Sequence, residues 1–85
     1  MNELFDEYEA ARIEGDREAL RAVAHECMWR SSEGSHWGYL MRASQTAVSA
    51  ITERLAGRIA DAMTLEADAD RYERCAVSEY NRADR

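Results

Sequence analysis

From Trp37 to Tyr80 the chain meets no proline, and its apolar and small residues keep steps of three and four: Trp37, Met41, Ser44, Val48, Ile51, Leu55, Ile59 and Ala62, then Leu65, Ala69, Tyr72, Ala76 and Tyr80. That period belongs to an α-helix with one buried face, because a half-buried strand would alternate every second residue. Proline is absent from all 85 residues, so nothing in the chain forces a helix to end by removing a backbone donor. Unbroken, the stretch would be a rod of roughly 67 Å at 1.5 Å per residue, which demands a partner to cover it. A break near Met63 and Thr64, with Thr64 capping a further helix, returns the chain antiparallel and makes a compact body. Gly57 is the second candidate hinge, since glycine inside a helix costs about 1 kcal/mol.

The first half is punctuated more clearly. Asn2 is an acceptable helix cap, and Glu3, Asp6 and Glu7 sit well beside the positive end of a helix dipole. Leu4, Phe5, Tyr8 and Ala11 share one face, with Ile13 at its edge. Glu14-Gly15-Asp16 reads as a left-handed stop followed by a new cap. A second helix then carries Leu20, Val23, Ala24, Cys27 and Met28 on one face, and Ser31 to Ser35 is a loop. The predicted fold is therefore all-α: a single domain over 1–85, a small bundle of three to four antiparallel helices at about 3–14, 17–30, 36–63 and 65–82.

Composition limits what such a bundle can enclose. Fifteen residues are alanine, while Leu, Ile, Val and Phe together number only 12 of 85. That share lies below the roughly 20% under which disorder becomes a reading, against which stand the small net charge per residue and the helix-forming alanines. Ala-rich helices pack closely but enclose little space for a ligand, and a second copy of the chain is one way to bury more surface. All eleven bases are arginine, and without lysine there is no phosphate-loop clamp and no Schiff base. Seventeen acids give a net charge of −6 and a pI near 4.8, the wrong sign for direct binding to nucleic acid. No run of about 18 apolar residues is present to span a membrane. The acidic opening Met1 to Glu7 is unlike a secretory leader, so Cys27 and Cys75 are expected to be reduced thiols of a cytoplasmic protein.

Chemistry-bearing residues are scattered. His25, Cys27, His36 and Cys75 have zinc-binding atoms, but residues two apart on a helix face different ways, so no metal, cofactor or catalytic residue is assigned. A helix-turn-helix over Arg17–Trp29 and His36–Thr52 would present His36, Tyr39, Arg42, Gln45 and Thr46 to a groove. One arginine on the reading helix is too few, and a packed pair of helices is the simpler reading.

Charge is more informative. Residues 1–33 carry nine acids and four arginines, residues 34–60 one acid and three arginines, and residues 61–85 seven acids and four arginines. The middle stretch, nearly free of charge between Glu33 and Glu53, is predicted to be the central helix. The flanking acids Glu3, Asp6, Glu7, Asp68, Asp70 and Glu73 are candidates for one acidic partner-binding face, with pairs such as Glu3/Glu7 and Glu66/Asp70 one turn apart. Trp29, Trp37 and Tyr39 bracket the loop and are candidate aromatic anchors at the same interface.

The acidic stretches Asn2–Glu9 and Asp61–Glu73 and the arginine-only base set give the chain a general character. In that it resembles the small acidic inhibitors encoded by phages and mobile elements, anti-CRISPR proteins above all. The resemblance covers the whole chain and no motif. It implies a non-enzymatic protein in a bacterial cytoplasm that binds a CRISPR effector, or a similar basic partner, and blocks DNA binding or nuclease recruitment. The alternatives are a self-associating helical module of antitoxin or scaffold type and, ranked below it, the helix-turn-helix regulator.

Overall fold

The structure, a computed structural model, describes residues 2–83. Four α-helices follow one another: α1 Glu3–Glu14, α2 Arg17–Trp29, α3 Ser35–Leu55 and α4 Ile59–Ala83, with a short 3₁₀ turn at Ser31–Glu33 between α2 and α3. The all-α bundle expected from periodicity is the fold. Both early caps are in place: Asn2 Oδ1 accepts from the Leu4 amide at 2.9 Å and Asp16 Oδ1 from the Ala19 amide at 3.0 Å. Between them Gly15 takes the left-handed conformation at φ 65°.

The second half breaks at Gly57, not at Met63–Thr64. Gly57 has φ 82°, its amide donates to the Arg54 carbonyl at 3.1 Å and the Arg58 amide to the Glu53 carbonyl at 2.9 Å. This is the double hydrogen bond of a Schellman turn, in which a left-handed residue satisfies the last carbonyls of a helix. Glycine enters that conformation without the cost borne by other residues, whereas threonine offers only a side-chain cap. Thr64 instead lies inside α4 and donates its hydroxyl to the Ala60 carbonyl at 3.2 Å.

α3 and α4 form a long antiparallel hairpin, the shorter α2 runs back along α3 as far as Thr52, and α1 packs beside α2. α3 is the central helix: Leu40, Ala43, Ser44 and Ala47 are fully buried. The apolar stripe read from the sequence holds at Trp37 and Ser44 of α3 and at Ala62, Ala69 and Ala76 of α4, but between and beyond the first two it is rotated by about one position from the core face. Leu40, Ala43, Ala47 and Ala50 are buried, while Met41, Val48 and Ile51 are half-buried beside it. On α4 the buried residues are Ala62, Ala69 and Ala76, seven apart. Small side chains on both helices let the backbones approach closely, so the alanine face is the core face here.

Above this hairpin Leu4, Phe5, Tyr8 and Ala11 of α1 and Leu20, Val23, Ala24 and Cys27 of α2 complete the core. Ile13 and Met28, assigned to those buried faces by spacing, are 87% and 51% exposed. One end is closed by aromatic rings, with Phe5 6.0 Å from Trp37 and 5.4 Å from Tyr80 between centroids. At the other end Leu55, Ile59 and Met63 lie exposed at the hairpin tip, beyond the short helices. The molecule measures 43 × 20 × 19 Å. No helix among the described residues is long and apolar enough to cross a membrane.

Candidate functional site

α1 positions Glu3, Glu7, Ala10 and Glu14 at helical spacing along the edge that faces α2, and α2 answers with Ala19, Ala22, Val23 and Glu26. Because the facing residues are mostly alanine, an open groove of about 680 Å³ remains between the two helices. Leu4 and Ala11 contribute to its floor, Glu3, Glu7, Glu14 and Glu26 line it, and among the described residues Arg30 is the one basic side chain in its lining. That arginine is already engaged, its Nε donating to Glu26 Oε1 at 3.3 Å while its guanidinium lies 5.3 Å from the centre of the Trp37 ring. Glu3, Glu7 and Glu14 are exposed and make no ion pair among the described residues. Glu3 and Glu7, one turn and about 5–6 Å apart, repel one another weakly and gain from any cation brought between them, with Glu14 two turns further along the same edge.

The six acids expected on one face do not share one. Glu3 and Glu7 line the groove, and Asp6 is exposed on α1 outside it. Asp68 accepts from Arg71 at 2.8 Å and Asp70 pairs with Arg12 at 3.0 Å, so both are locally neutralised. Glu66, the partner of Asp70 in the proposed second pair, is held by two bonds from Arg54, at 3.0 and 2.8 Å. Those bonds hold its carboxyl below the ordinary carboxylate range. Glu73 sits in a separate cleft of about 340 Å³ between α1 and α4, beside Glu9, Arg12 and Asp70. Partial burial, followed by the charge of Glu9, pushes its pKa up. The reason for the split is geometric: α1 turns one edge to α2 and another to α4, and the α4 acids are met by arginines from three different helices, Arg12 of α1, Arg54 of α3 and Arg71 of α4.

The aromatic anchors separate likewise. Trp37 is 4% exposed, a core residue between Phe5 and His36, and is not available to a partner. Trp29 is 71% exposed, with its indole N–H donating to His25 Nε2 at 3.0 Å. Tyr39 is half-buried and lines a third, smaller cleft with Arg71, Arg74 and Cys75. No family model, curated protein or solved structure matches the chain.

The remaining reactive groups are dispersed. Cys27 is buried, and desolvation pushes its thiol up to about 11, which keeps it a protonated apolar filler. Tyr8 is pushed up to about 12 by burial, against the hydrogen bond it accepts from Arg12 at 2.7 Å. Among the described residues no three metal-ligating side chains converge. Glu14 and Glu26, which complete the groove, escaped the sequence reading. Glu14 was assigned to the turn, although its spacing from Glu3 and Glu7 places it on the same edge.

Proposed function

We propose that the chain is a non-enzymatic interaction protein whose α1–α2 groove receives a cationic segment of a nucleic-acid-handling partner. By holding Arg or Lys side chains that would otherwise contact phosphates, it inhibits that partner in the manner of an anti-CRISPR protein acting on a CRISPR effector. The observation that carries this reading is the groove itself. Among the described residues three carboxylates without an ion pair, Glu3, Glu7 and Glu14, border an alanine-floored channel whose one lining arginine is already bound. Small floor residues admit the backbone or aliphatic stems of a partner, and the rim supplies charge complementarity, which sets encounter rate and register.

The accessible surface of 5322 Å² is close to the roughly 5100 Å² of a monomeric protein of this mass. A compact body with no surface deficit fits a protein that acts through its exterior. The test is DNA binding by purified CRISPR effector complexes, with and without the protein, at low and high salt. Wild type is expected to block DNA binding at low salt and lose potency steeply as salt rises. Glu3→Arg/Glu7→Arg/Glu14→Arg should abolish the block while retaining helical circular dichroism. Undiminished inhibition by the triple reversal would sink the reading.

Exposed Leu55, Ile59 and Met63 at the hairpin tip support a second reading, self-association into a scaffold-type module. Sedimentation discriminates: a dimer that Leu55→Glu dissociates, and that salt leaves intact, belongs to this alternative.

A further inference from the structure

Most arginines of this chain are bound to carboxylates. Arg12, Arg30, Arg54, Arg58, Arg71 and Arg82 each make an ion pair. Among the described residues Arg17, Arg21, Arg42 and Arg74 make none, and three of these four belong to α2 and α3. Arg17 and Arg21 stand one turn apart on α2, and Arg42 stands one turn before Gln45 on α3. Arg17 reaches across the seam, its Nη1 donating to Thr52 Oγ1 at 3.3 Å. Between the two helices lies a cleft of about 340 Å³ lined by Arg21, Ala24, His25, Met28, Gln45 and Val48, with no carboxylate among the six. Met28 is half exposed at its mouth, and Trp29 follows it on the surface.

We infer that this α2–α3 cleft is a second docking surface, distinct from the acidic groove, for a protein partner that offers an apolar side chain flanked by carboxylates. The apolar group enters against Ala24, Met28 and Val48, and the carboxylates meet Arg21 and Arg17, which are spaced for acids one turn apart. Trp29 is prepared for such a contact. Its hydrogen bond to His25 fixes the indole in place, so less side-chain freedom is lost when a partner covers it, and Trp, Met and Arg are the residue types enriched at interface centres. A nucleic acid fits the same cations less well, because a phosphate backbone brings nothing apolar to the cleft beside Ala24, Met28 and Val48. With the cationic partner on α1–α2 and an acidic one on α2–α3, the two faces of α2 serve opposite charges.

The probes are a synthetic amphipathic peptide with leucines on one face and glutamates on the flanks, the same peptide with lysines for glutamates, and a short DNA duplex. Each is titrated into the full chain while backbone amide shifts and Trp29 fluorescence are followed, with Trp29→Phe as the control for buried Trp37. The glutamate peptide is expected to bind saturably, moving the amides of Arg21, His25, Met28 and Gln45. Arg21→Glu should weaken it about tenfold or more, with circular dichroism unchanged, and the lysine peptide should leave this face still. The inference fails if the glutamate peptide moves no amide on α2 or α3, or if Arg21→Glu leaves its affinity intact. It fails equally if the duplex binds the same face and displaces the peptide, which would make this a nucleic-acid surface.

Discussion

His36 is the residue whose chemistry and packing are most at odds. It is 7% exposed, its Nδ1 is buried with no hydrogen-bond partner among the described residues, and its ring lies tilted against Trp37 at 4.5 Å and edge-on to Tyr80 at 5.3 Å. Burial disfavours the charged imidazolium, and the charges of Glu33 and Glu79 only partly oppose this, so the pKa lies below the ordinary 6.5. A histidine that is harder to protonate when folded leaves the unfolded chain binding more protons between the two values, so stability falls as pH drops through that window. Urea stability is therefore expected to decline as pH falls below the ordinary histidine value of about 6.5, and His36→Phe should flatten that part of the curve. An equal slope in the variant would refute the assignment. The same ring explains Gly34, which is needed for room and not for conformation: a Cβ there would stand 2.5 Å from His36 Cε1 and 2.7 Å from Nδ1. Gly34→Ala should cost about 1–3 kcal/mol as the ring is displaced, and His36→Ala in the same chain should recover part of that loss. Glu73 shows the opposite sign of linkage. Its pKa is raised, by burial first and then by Glu9, so its charge destabilises the fold once pH exceeds its folded value. Glu73→Gln should stabilise by under about 1 kcal/mol at neutral pH, a gain that disappears near pH 4, where the wild-type carboxyl is already protonated.

At the scale of elements, two glycines with empty surroundings should respond to alanine in opposite directions. Neither Gly57 nor Gly38 has an atom within 4 Å of where a Cβ would lie, yet Gly57 is left-handed and Gly38 lies within α3. Gly57→Ala is expected to destabilise by about 1–2 kcal/mol through backbone strain alone, and Gly38→Ala to stabilise by up to about 1 kcal/mol. Thermal melts of the two variants check both signs, and a stabilised Gly57→Ala would remove the Schellman turn from the account. That turn also marks where the sequence was legible and where it was not. Gly15 was readable because a capping aspartate follows it directly, so stop and start signals coincide. Gly57 has no side-chain cap after it, and the stripe passes through it in phase, so compactness pointed instead to Thr64. The core face of α3 was misjudged for a related reason. Hydrophobic periodicity weights Met41, Val48 and Ile51 above alanine, but close helix approach selects the smaller residues, and Ala43, Ala47 and Ala50 won. Trp29 and Trp37 were indistinguishable as letters. Only the direction of their helices sends one to solvent and the other beneath Phe5.

For the molecule as a whole, the consequence of short α1 and α2 over long α3 and α4 is a body with two ends of unequal stability. At one end Phe5, His36, Trp37 and Tyr80 interlock across three helices. At the other, residues 54–61 are all exposed, and what closes the tip is the Gly57 turn with the Arg54–Glu66 and Arg58–Glu53 ion pairs. Pairs so exposed are worth little individually and are screened by salt, whereas core contacts are not. Amide exchange should therefore be graded: amides around Leu40 and Ala43 exchange only through global unfolding, and those from Ala56 to Ala62 through local fraying of the hairpin tip. Raising the salt concentration should speed exchange at the tip more than at the core. Leu55→Ser and Ile59→Ser, at exposed positions, should change global stability by no more than about 0.5 kcal/mol, while Leu40→Ala should cost about 2–5 kcal/mol. Uniform protection from tip to core, insensitive to salt, would mean that the hairpin tip is held by something other than its turn and its two ion pairs. In that event Leu55, Ile59 and Met63 would be covered in solution, and the second-copy reading of the tip would take precedence over the acidic groove.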